Sequence, residues 1–365
     1  MRQREGATFF TAASADDSKG PATRQARFYN PAMALDRDLC VLFSEYIAGE
    51  GCQRFLDGLG ATGIRGLRIA NEVDADIDVI VNEVNPISYE HIKENTILND
   101  VSITVCNEDV RVLLHQHRYD YVDIDPYGSP APFVHAALNG LYRQSYAAFT
   151  ATDKATLCGV HPKACRRRYD AWPRRGPAMK ELGLRILLGY IVRAATGHDY
   201  GATPVFAYSY DHYFRVYLCL QSGARRGNES LESIGWVRWE DGWHIEPYDA
   251  ARGEHWAGPL WTGPLYDPDV VSAMQRMLPD KTLACPRETR RLLETIAGEV
   301  DAPALYYNTG ELCSRHGLTQ PPMDDVLGNL RDMGYRAVRT HFSPDAIKTD
   351  APEHAVVAVY EQLRG

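Results

Sequence analysis

No stretch of this 365-residue chain is apolar for the ~20 residues that a membrane-crossing helix needs, and the run from Ile186 to Ala195 is broken by Arg193. No apolar run follows Arg2, Arg4 and Glu5 either, so the N-terminus is not expected to be a secretory signal. The eight cysteines include no C-x-x-C pair. Their scatter argues against a disulfide scaffold and against a zinc ribbon, and for a reducing, cytoplasmic setting. Lysine is scarce, with seven against 32 arginines. That balance suits forked contacts to phosphate, although a biased base composition would produce it as well. A positive net charge is also missing: the formal value of −9 argues mildly against a nucleic-acid partner.

What is present changes that first impression. Residues 1–225 carry 25 basic and 26 acidic groups, whereas 226–365 carry 14 and 22, so the acidity sits mostly in the C-terminal part. Between Lys163 and Arg175 the basic residues Lys163, Arg166, Arg167, Arg168, Arg174 and Arg175 face the single acid Asp170. Such a cluster is either a solvated helix end or a phosphate contact, and distribution matters more than the sum. The length implies two domains. A composition of 45% hydrophobic and 24% charged residues is that of an ordinary globular protein.

Strand and helix patterns alternate through the first 225 residues. A helical period covers Asp38–Ala48 after a polar first 27 residues, which are expected to be an exposed loop or strand ends. Short β-like runs at 53–56, 77–81, 103–106, 121–124 and 145–150 are separated by helical segments, and Met179–Ala195 is the longest amphipathic helix. Two close β-like runs, Val205–Tyr210 and Phe214–Leu220, follow. This alternation predicts a mostly parallel sheet with right-handed crossovers, closed by a hairpin at one edge. Beyond Arg226 the composition shifts, and five of the six tryptophans lie between Trp236 and Trp261. Helices are expected at 268–277, 286–299, 309–315 and 323–333, then strands at 336–342 and 355–360. That ending resembles a winged helix, in a smaller α+β domain spanning 226–365.

Three groups of residues carry chemistry. Asp57-Gly58-Leu59-Gly60-Ala61-Thr62-Gly63 places G-x-G-x-x-G between a strand and a helix, where glycine lets the backbone turn and approach a ligand. Glu83 ends the next strand, twenty residues after Gly63, where an acid accepts from ribose hydroxyls. Alone, this loop fits a dinucleotide as well as S-adenosylmethionine. Asp57 before the glycines suits a cationic methionine moiety better than a pyrophosphate. Asp109, after the third strand, can accept from an adenine amino group while the Val110 amide meets a ring nitrogen. Finally Asp125-Pro126-Tyr127-Gly128 follows an apolar strand and offers a carboxylate, a carbonyl and a ring together. A Pro-Gly turn is the plain alternative, but ligands of open α/β sheets bind at such strand ends.

At this point the chain resembles the archaeal and eukaryotic tRNA (guanine-26, N2)-dimethyltransferases. The resemblance is carried by Phe28-Tyr29-Asn30-Pro31-Ala32-Met33-Ala34-Leu35-Asp36-Arg37-Asp38, by Ala61-Thr62-Gly63-Ile64-Arg65-Gly66 and by Asp125-Pro126-Tyr127-Gly128-Ser129-Pro130. His161-Pro162-Lys163-Ala164-Cys165, Tyr210-Asp211-His212-Tyr213-Phe214-Arg215 and Gly258-Pro259-Leu260-Trp261-Thr262-Gly263-Pro264-Leu265 extend it. It implies a class I methyltransferase fold, Rossmann-like with a seven-stranded sheet, over residues 1–225. It further implies that Arg37, Arg65, Glu83, Asp109 and the Val110 backbone bind S-adenosylmethionine, and that Phe28, Asp125 and Tyr127 form a guanine pocket. Tyr127 stands where the family usually has phenylalanine. Paired cysteines that look like zinc ligands in many members are missing from residues 226–257 here. No structural zinc is therefore expected, with tryptophan packing in its place.

The expected chemistry follows. Asp125 and the Pro126 carbonyl accept the two N–H bonds of guanine N2, a poor nucleophile, and orient its lone pair; Phe28 and Tyr127 hold the base. Asp57, Gly58 and Gly60 join the cofactor site, and Lys163, Arg166, Arg167 and Arg168 contact tRNA phosphates. A nicotinamide-dependent oxidoreductase would use the glycine loop and Glu83 but leave Asp109 and Asp125 idle. A methyltransferase of adenine or protein amino groups would use the same strand-end acids on a different acceptor. An RNA-binding module without catalysis would leave Asp57, Glu83, Asp109 and Asp125 without a task.

Overall fold

The computed structural model describes residues 2–12, 28–240, 242–250 and 255–363. The part of the first 27 residues expected to be loop that spans 13–27 lies outside them. Of the exposed loop or strand ends expected there, residues 2–11 are strand, a two-stranded antiparallel hairpin of β1 (Arg2–Glu5) and β2 (Thr8–Thr11) that is partly buried. Its polar composition conceals the reason: Phe10 and Thr8 are buried, while Asn95 and Asn99 side chains bond the backbone of Thr11 and Phe9. The hairpin is held by another element, which a local pattern does not reveal.

The centre is a seven-stranded sheet. It contains β3 (Arg54–Asp57), β4 (Asp78–Asn82), β5 (Thr104–Cys106), β6 (Tyr119–Ile124), β7 (Leu141–Ala151), β8 (Tyr200–Tyr210) and β9 (Tyr213–Ser222). The order is β5-β4-β3-β6-β7-β9-β8, with the first five strands parallel and β9 antiparallel to both neighbours. The alternating pattern predicts the mostly parallel sheet and its closing hairpin, and the whole is the class I methyltransferase arrangement that the family resemblance implies. The strand order reverses between β3 and β6, which is where open α/β sheets bind ligands.

Helices cover both faces. On one side α1 (Ala34–Gly49) packs on α2 (Ile64–Glu72); on the other α4 (Val110–Gln116), α5 (Ala131–Asn139) and α8 (Met179–Thr196) pack in succession. Between them in sequence, α3 (Pro86–Ile97) starts at Asn85, whose side chain accepts from the Ile87 amide before Pro86 sets the first turn. The short α6 (Lys154–Leu157) and α7 (Pro162–Tyr169) precede α8. Tyr119, Tyr121, Phe149, Leu187, Phe206 and Tyr217 are among the fully buried side chains of the shared core.

After α9 (Ala224–Leu231), the tryptophan-rich segment builds a three-stranded antiparallel sheet from β10 (Ile234–Trp239), β11 (Trp243–Pro247) and β12 (Ala257–Trp261). Ile234, Leu260 and Trp261 share the core of the large sheet. Helices α10 (Pro268–Met277) and α11 (Pro286–Glu299) follow. Then come β13 (Tyr307–Asn308), α12 (Thr309–His316), α13 (Met323–Asp332), β14 (Ala337–Arg339), β15 (Ala346–Thr349) and α14 (Glu353–Gln362). From α11 to β15 the order is helix, strand, helix, helix, strand, strand, as a winged helix requires, with strand order β13-β15-β14.

Two expectations fail here. The run 355–360 is helical, not a strand: Ala355, Val356, Val359 and Tyr360 are buried, which is the stripe of a helix. The strand that pairs instead is Ala346–Thr349, whose buried Lys348 disguises it. Of the run 336–342 only Ala337–Arg339 is a strand.

Candidate active site

A cavity of about 380 Å³ opens at the carboxyl ends of the parallel strands. Its lining comes from the loops after β3, β4, β6 and β7, from the β8–β9 turn and from the chain before α1. Phe28, Arg37, Asp57, Gly60, Arg65, Glu83, Asp125, Pro126 and Tyr127 all meet there, from separate segments of the chain.

The glycine loop explains its own sequence. Gly63 starts α2 with φ of 77°, a left-handed conformation natural to glycine. A Cβ on Gly66 would lie 2.3 Å from Val81 Cγ2, so α2 approaches β4 closely only without a side chain. The buried Asp57 Oδ2 accepts from the Gly66 amide at 3.1 Å. A carboxylate thus already fills the N-terminus of α2, where a dinucleotide would place its pyrophosphate. Burial pushes the Asp57 carboxyl up to about 7, against the opposing pull of Arg65.

Glu83 accepts from the Ala61 amide through Oε2 and from the Asn85 amide through Oε1, both at 2.8 Å. It therefore ties the glycine loop to the α3 cap. Asn82 carries no signal in the sequence, yet its side chain donates to the carbonyls of Gly58 and Glu108 and accepts from the Glu108 amide. Three strand-end segments are stitched by this one amide. Asp109 caps α4, accepting from the Arg111 amide at 2.9 Å. The Arg111 guanidinium holds its carboxyl below the usual range. Asp109, Val110 and Gly58 do not line the cavity, and Val110 is buried beside Gly58.

The consecutive residues Asp36, Arg37 and Asp38 meet different partners, the last two joined through the Glu5–Arg68 pair at 3.1 Å. Asp38 accepts from the amides of Ala284 and Cys285 and pairs with Arg68 at 2.8 Å. Arg37 forks onto Glu5 at 2.6 and 2.7 Å, with Tyr29 also donating to Glu5. Glu5 thereby keeps Arg37 protonated despite burial, while Arg37 lies on the cavity wall. Asp36 pairs with Arg65 at 2.7 Å and accepts from the Tyr208 hydroxyl at 2.7 Å.

Arg65 is the hub. It meets Asp36, Asp123 at 3.7 Å and Asp125, while Arg215 donates to both Asp123 oxygens and to Thr150. Burial alone would raise the Asp36 and Asp123 carboxyls; Arg215 and Arg65 hold both below the usual range. Of these three carboxylates only Asp125 lines the cavity.

Beyond Asp125 the turn is braced: the Gly128 amide donates to Thr152 Oγ1 at 2.7 Å, and the Thr152 amide to the Gly128 carbonyl at 2.9 Å. Tyr127 is exposed, and its ring meets Phe28 edge to face, with centroids 5.1 Å apart and planes at 73°. The pair lies too close to admit a base between the rings. Thr152 and His212 also line the cavity, and neither is marked as a site residue by the sequence, although His212 belongs to the Tyr210–Arg215 block. His212 Nδ1 lies 3.0 Å from Asp211 Oδ2.

On α7, Lys163, Arg166 and Arg167 are exposed or partly so; Arg166 lies over the Trp172 ring, and Arg168 is paired with Asp153 at 2.9 Å. Among the described residues no group of three or more His, Cys, Asp or Glu side chains is placed to hold a metal ion. In residues 226–257 Trp236 is buried and Trp239 packs edge-on against Trp243 and Tyr307, and Trp261 just beyond them is buried as well.

A sequence profile of the N2,N2-dimethylguanosine tRNA methyltransferases matches residues 12–361. The chain belongs to this family. It is 37% identical to the tRNA (guanine(26)-N(2))-dimethyltransferase of Pyrococcus abyssi, over 92% of this chain and 93% of that one. It is 36% identical to the protein of the same name from Pyrobaculum aerophilum, over 99% and 96%. Among solved structures, Trm1 from Pyrococcus horikoshii in complex with S-adenosyl-L-methionine matches with a TM-score of 0.91 and 34% identity, over 98% of this chain and 99% of that one. No helix among the described residues is long and apolar enough to cross a membrane.

Proposed function

We propose that this chain transfers methyl groups from S-adenosylmethionine to the exocyclic N2 of guanosine 26 in tRNA, forming dimethylguanosine. Residues 1–225 carry the chemistry, and 226–365 form an accessory, tRNA-contacting part of a cytoplasmic enzyme. The observation that carries this proposal is the convergence of Asp125, Pro126 and Tyr127 with Asp57 and Glu83 in one cavity at the switch point of the sheet.

The lining suits a cationic cofactor. Glu5 and Asp36 neutralise Arg37 and Arg65, which leaves Asp57, Glu83 and Asp125 to set the charge of the cavity. Asp57 is available to an ammonium and Glu83 to ribose hydroxyls; Arg37 and Arg65 offer a carboxylate only the N–H groups their own partners leave free, such as Arg65 Nη1, with Gly58 and Gly60 shaping the loop and Asp109 and Val110 behind the cavity wall on the adenine side. When bound, S-adenosylmethionine supplies an electrophilic methyl group.

Asp125 and the Pro126 carbonyl accept the two N–H bonds of N2 and turn its lone pair out of conjugation. Arg65 fixes Asp125 in place, so the acceptor is aimed before the base arrives. Asp125 then receives the proton or passes it to water. After one transfer a single N–H remains to hold, so the second round relies more on ring contacts. Extruding the base costs a few kcal/mol, and stacking on Phe28 or Tyr127 returns about 1–3 kcal/mol. The edge-to-face pair must open, or offer one face only.

Mass spectrometry of nucleosides from tRNA transcripts incubated with protein and S-adenosylmethionine tests this directly. Dimethylguanosine at position 26 is expected. Methylation of DNA or protein with none on tRNA would overturn it.

A further inference from the structure

A second cavity, of about 270 Å³, lies where the segment before α8 meets the C-terminal part. Arg174 and Arg175 form one wall; Trp239, Trp243 and Arg315 form the other. Arg174 and Arg175 are exposed, and neither is within ion-pair distance of a carboxylate among the described residues. Arg174 donates to the His255 carbonyl at 2.8 Å. The two tryptophans are half-buried and meet edge to face with centroids 4.8 Å apart, and the Arg315 guanidinium lies 5.4 Å from the Trp239 ring centre. One acid, Glu311, also lines the space, and Arg315 shares its charge with Glu353 at 3.1 Å.

We propose that this pocket takes one unpaired nucleotide of the tRNA, its base against the tryptophans and its phosphate on Arg174 and Arg175. This rests on the tRNA reading above. Aromatic rings beside uncompensated arginines are what single-stranded nucleic acid requires, because every base has a π face and every linkage a negative charge. The pocket also resolves a conflict of charge. The third helix of the winged-helix-like unit, α13, is the one that such a fold would offer to nucleic acid, yet it carries Asp324, Asp325 and Asp332 against Arg331. The pocket thus gives the acidic C-terminal part a basic, aromatic spot at which to contact tRNA. The same segment joins it to the α7 cluster, since Trp172, under Arg166, is two residues from Arg174.

Three variants test the pocket in steady-state methylation of tRNA transcripts: Arg174→Glu with Arg175→Glu, Trp243→Leu, and Trp243→Phe. Both disruptive variants are expected to raise KM for tRNA roughly ten-fold, with kcat and S-adenosylmethionine affinity kept. The arginine pair should also lower the salt dependence of binding by about one unit of slope. Trp243→Phe, which keeps a ring, should restore most of the affinity. An unchanged KM in either disruptive variant overturns the proposal, and so does a loss confined to the arginine pair, which would mean a phosphate contact without a nucleotide pocket. Failure of the unaltered protein to methylate tRNA would instead reject the function proposed above.

Discussion

Arg65 binds Asp125 and Asp36 with the same guanidinium nitrogen, Nη2, so the cavity-facing carboxylate is positioned from the buried core. The anchor is itself over-determined: Asp36 is held by Tyr208 and approached by Arg215 at 3.4 Å. Asp125→Ala should lower kcat at least ~100-fold while S-adenosylmethionine binding changes little, since Asp125 supplies an acceptor needed only as charge develops. Arg65→Lys keeps one charge but loses the fork and should cost about ten-fold in kcat. Steady-state rates with cofactor titration by calorimetry separate the two, and an active Asp125→Ala would remove Asp125 from catalysis.

Asp57 makes cofactor affinity depend on pH. Its folded carboxyl is pushed up to about 7 by burial, so it is largely protonated at pH ~6. A cation binds the ionised form, so affinity should rise about ten-fold per unit below pH ~7 and level off above it. In the ligand-free protein the sign is opposite for stability. The folded state holds a proton that the unfolded chain releases near pH ~4, so stability falls between about 4 and 7. Asp57→Asn should flatten the cofactor profile; isothermal titration across neutral pH checks it.

Tyr127 offers its ring at the cavity and a hydroxyl that the aromatic contact with Phe28 does not use. Tyr127→Phe should therefore stay within about three-fold of the parent in kcat/KM. Tyr127→Ala removes the stacking face and should lose roughly 10- to 100-fold, in line with about 1–3 kcal/mol per stacked base. Equal activity of the alanine variant on tRNA would exclude the ring from base binding.

Glu181 locks the C-terminal part to the sheet domain. Its Oε1 receives Arg185 at 2.9 Å, the Leu305 amide at 2.9 Å and Lys348 at 3.0 Å, all buried. Burial would raise its carboxyl, but Lys348 and Arg185 hold it below the usual range. Glu181→Ala leaves the buried Arg185 without a carboxylate and Lys348 with only Glu299 at 3.4 Å, and should destabilise by about 3–5 kcal/mol. Thermal unfolding read by circular dichroism would show it, and an unaltered transition would contradict this account.

Much of the architecture is legible because the periods are strong. Helices 268–277 and 286–299 coincide with α10 and α11, and both begin with proline at the first helical position. The ending reads as strand because Val356, Val359 and Tyr360 are β-formers by type, yet with Ala355 they are helical by spacing. In the site, Asp57, Glu83 and Asp125 announce themselves as acids at successive strand ends. Asn82, Thr152 and Glu5 do not, since a lone amide, hydroxyl or N-terminal acid has no signature until its partner is known.

The parallel sheet, the glycine loop and the strand-end acids can be read from the chain, because they depend on residues close along it. How charge is distributed among them follows from folding alone. Arg37 is bound to Glu5 across 32 residues, Arg65 to Asp125 across 60, and Arg215 to Asp123 across 92. Ion pairing depends on distance in space, which the folded chain alone sets. That is why two arginines expected simply to bind a ligand prove to be held by buried carboxylates, and why Arg174 and Arg175, beside tryptophans from a distant part of the chain, meet no carboxylate among the described residues.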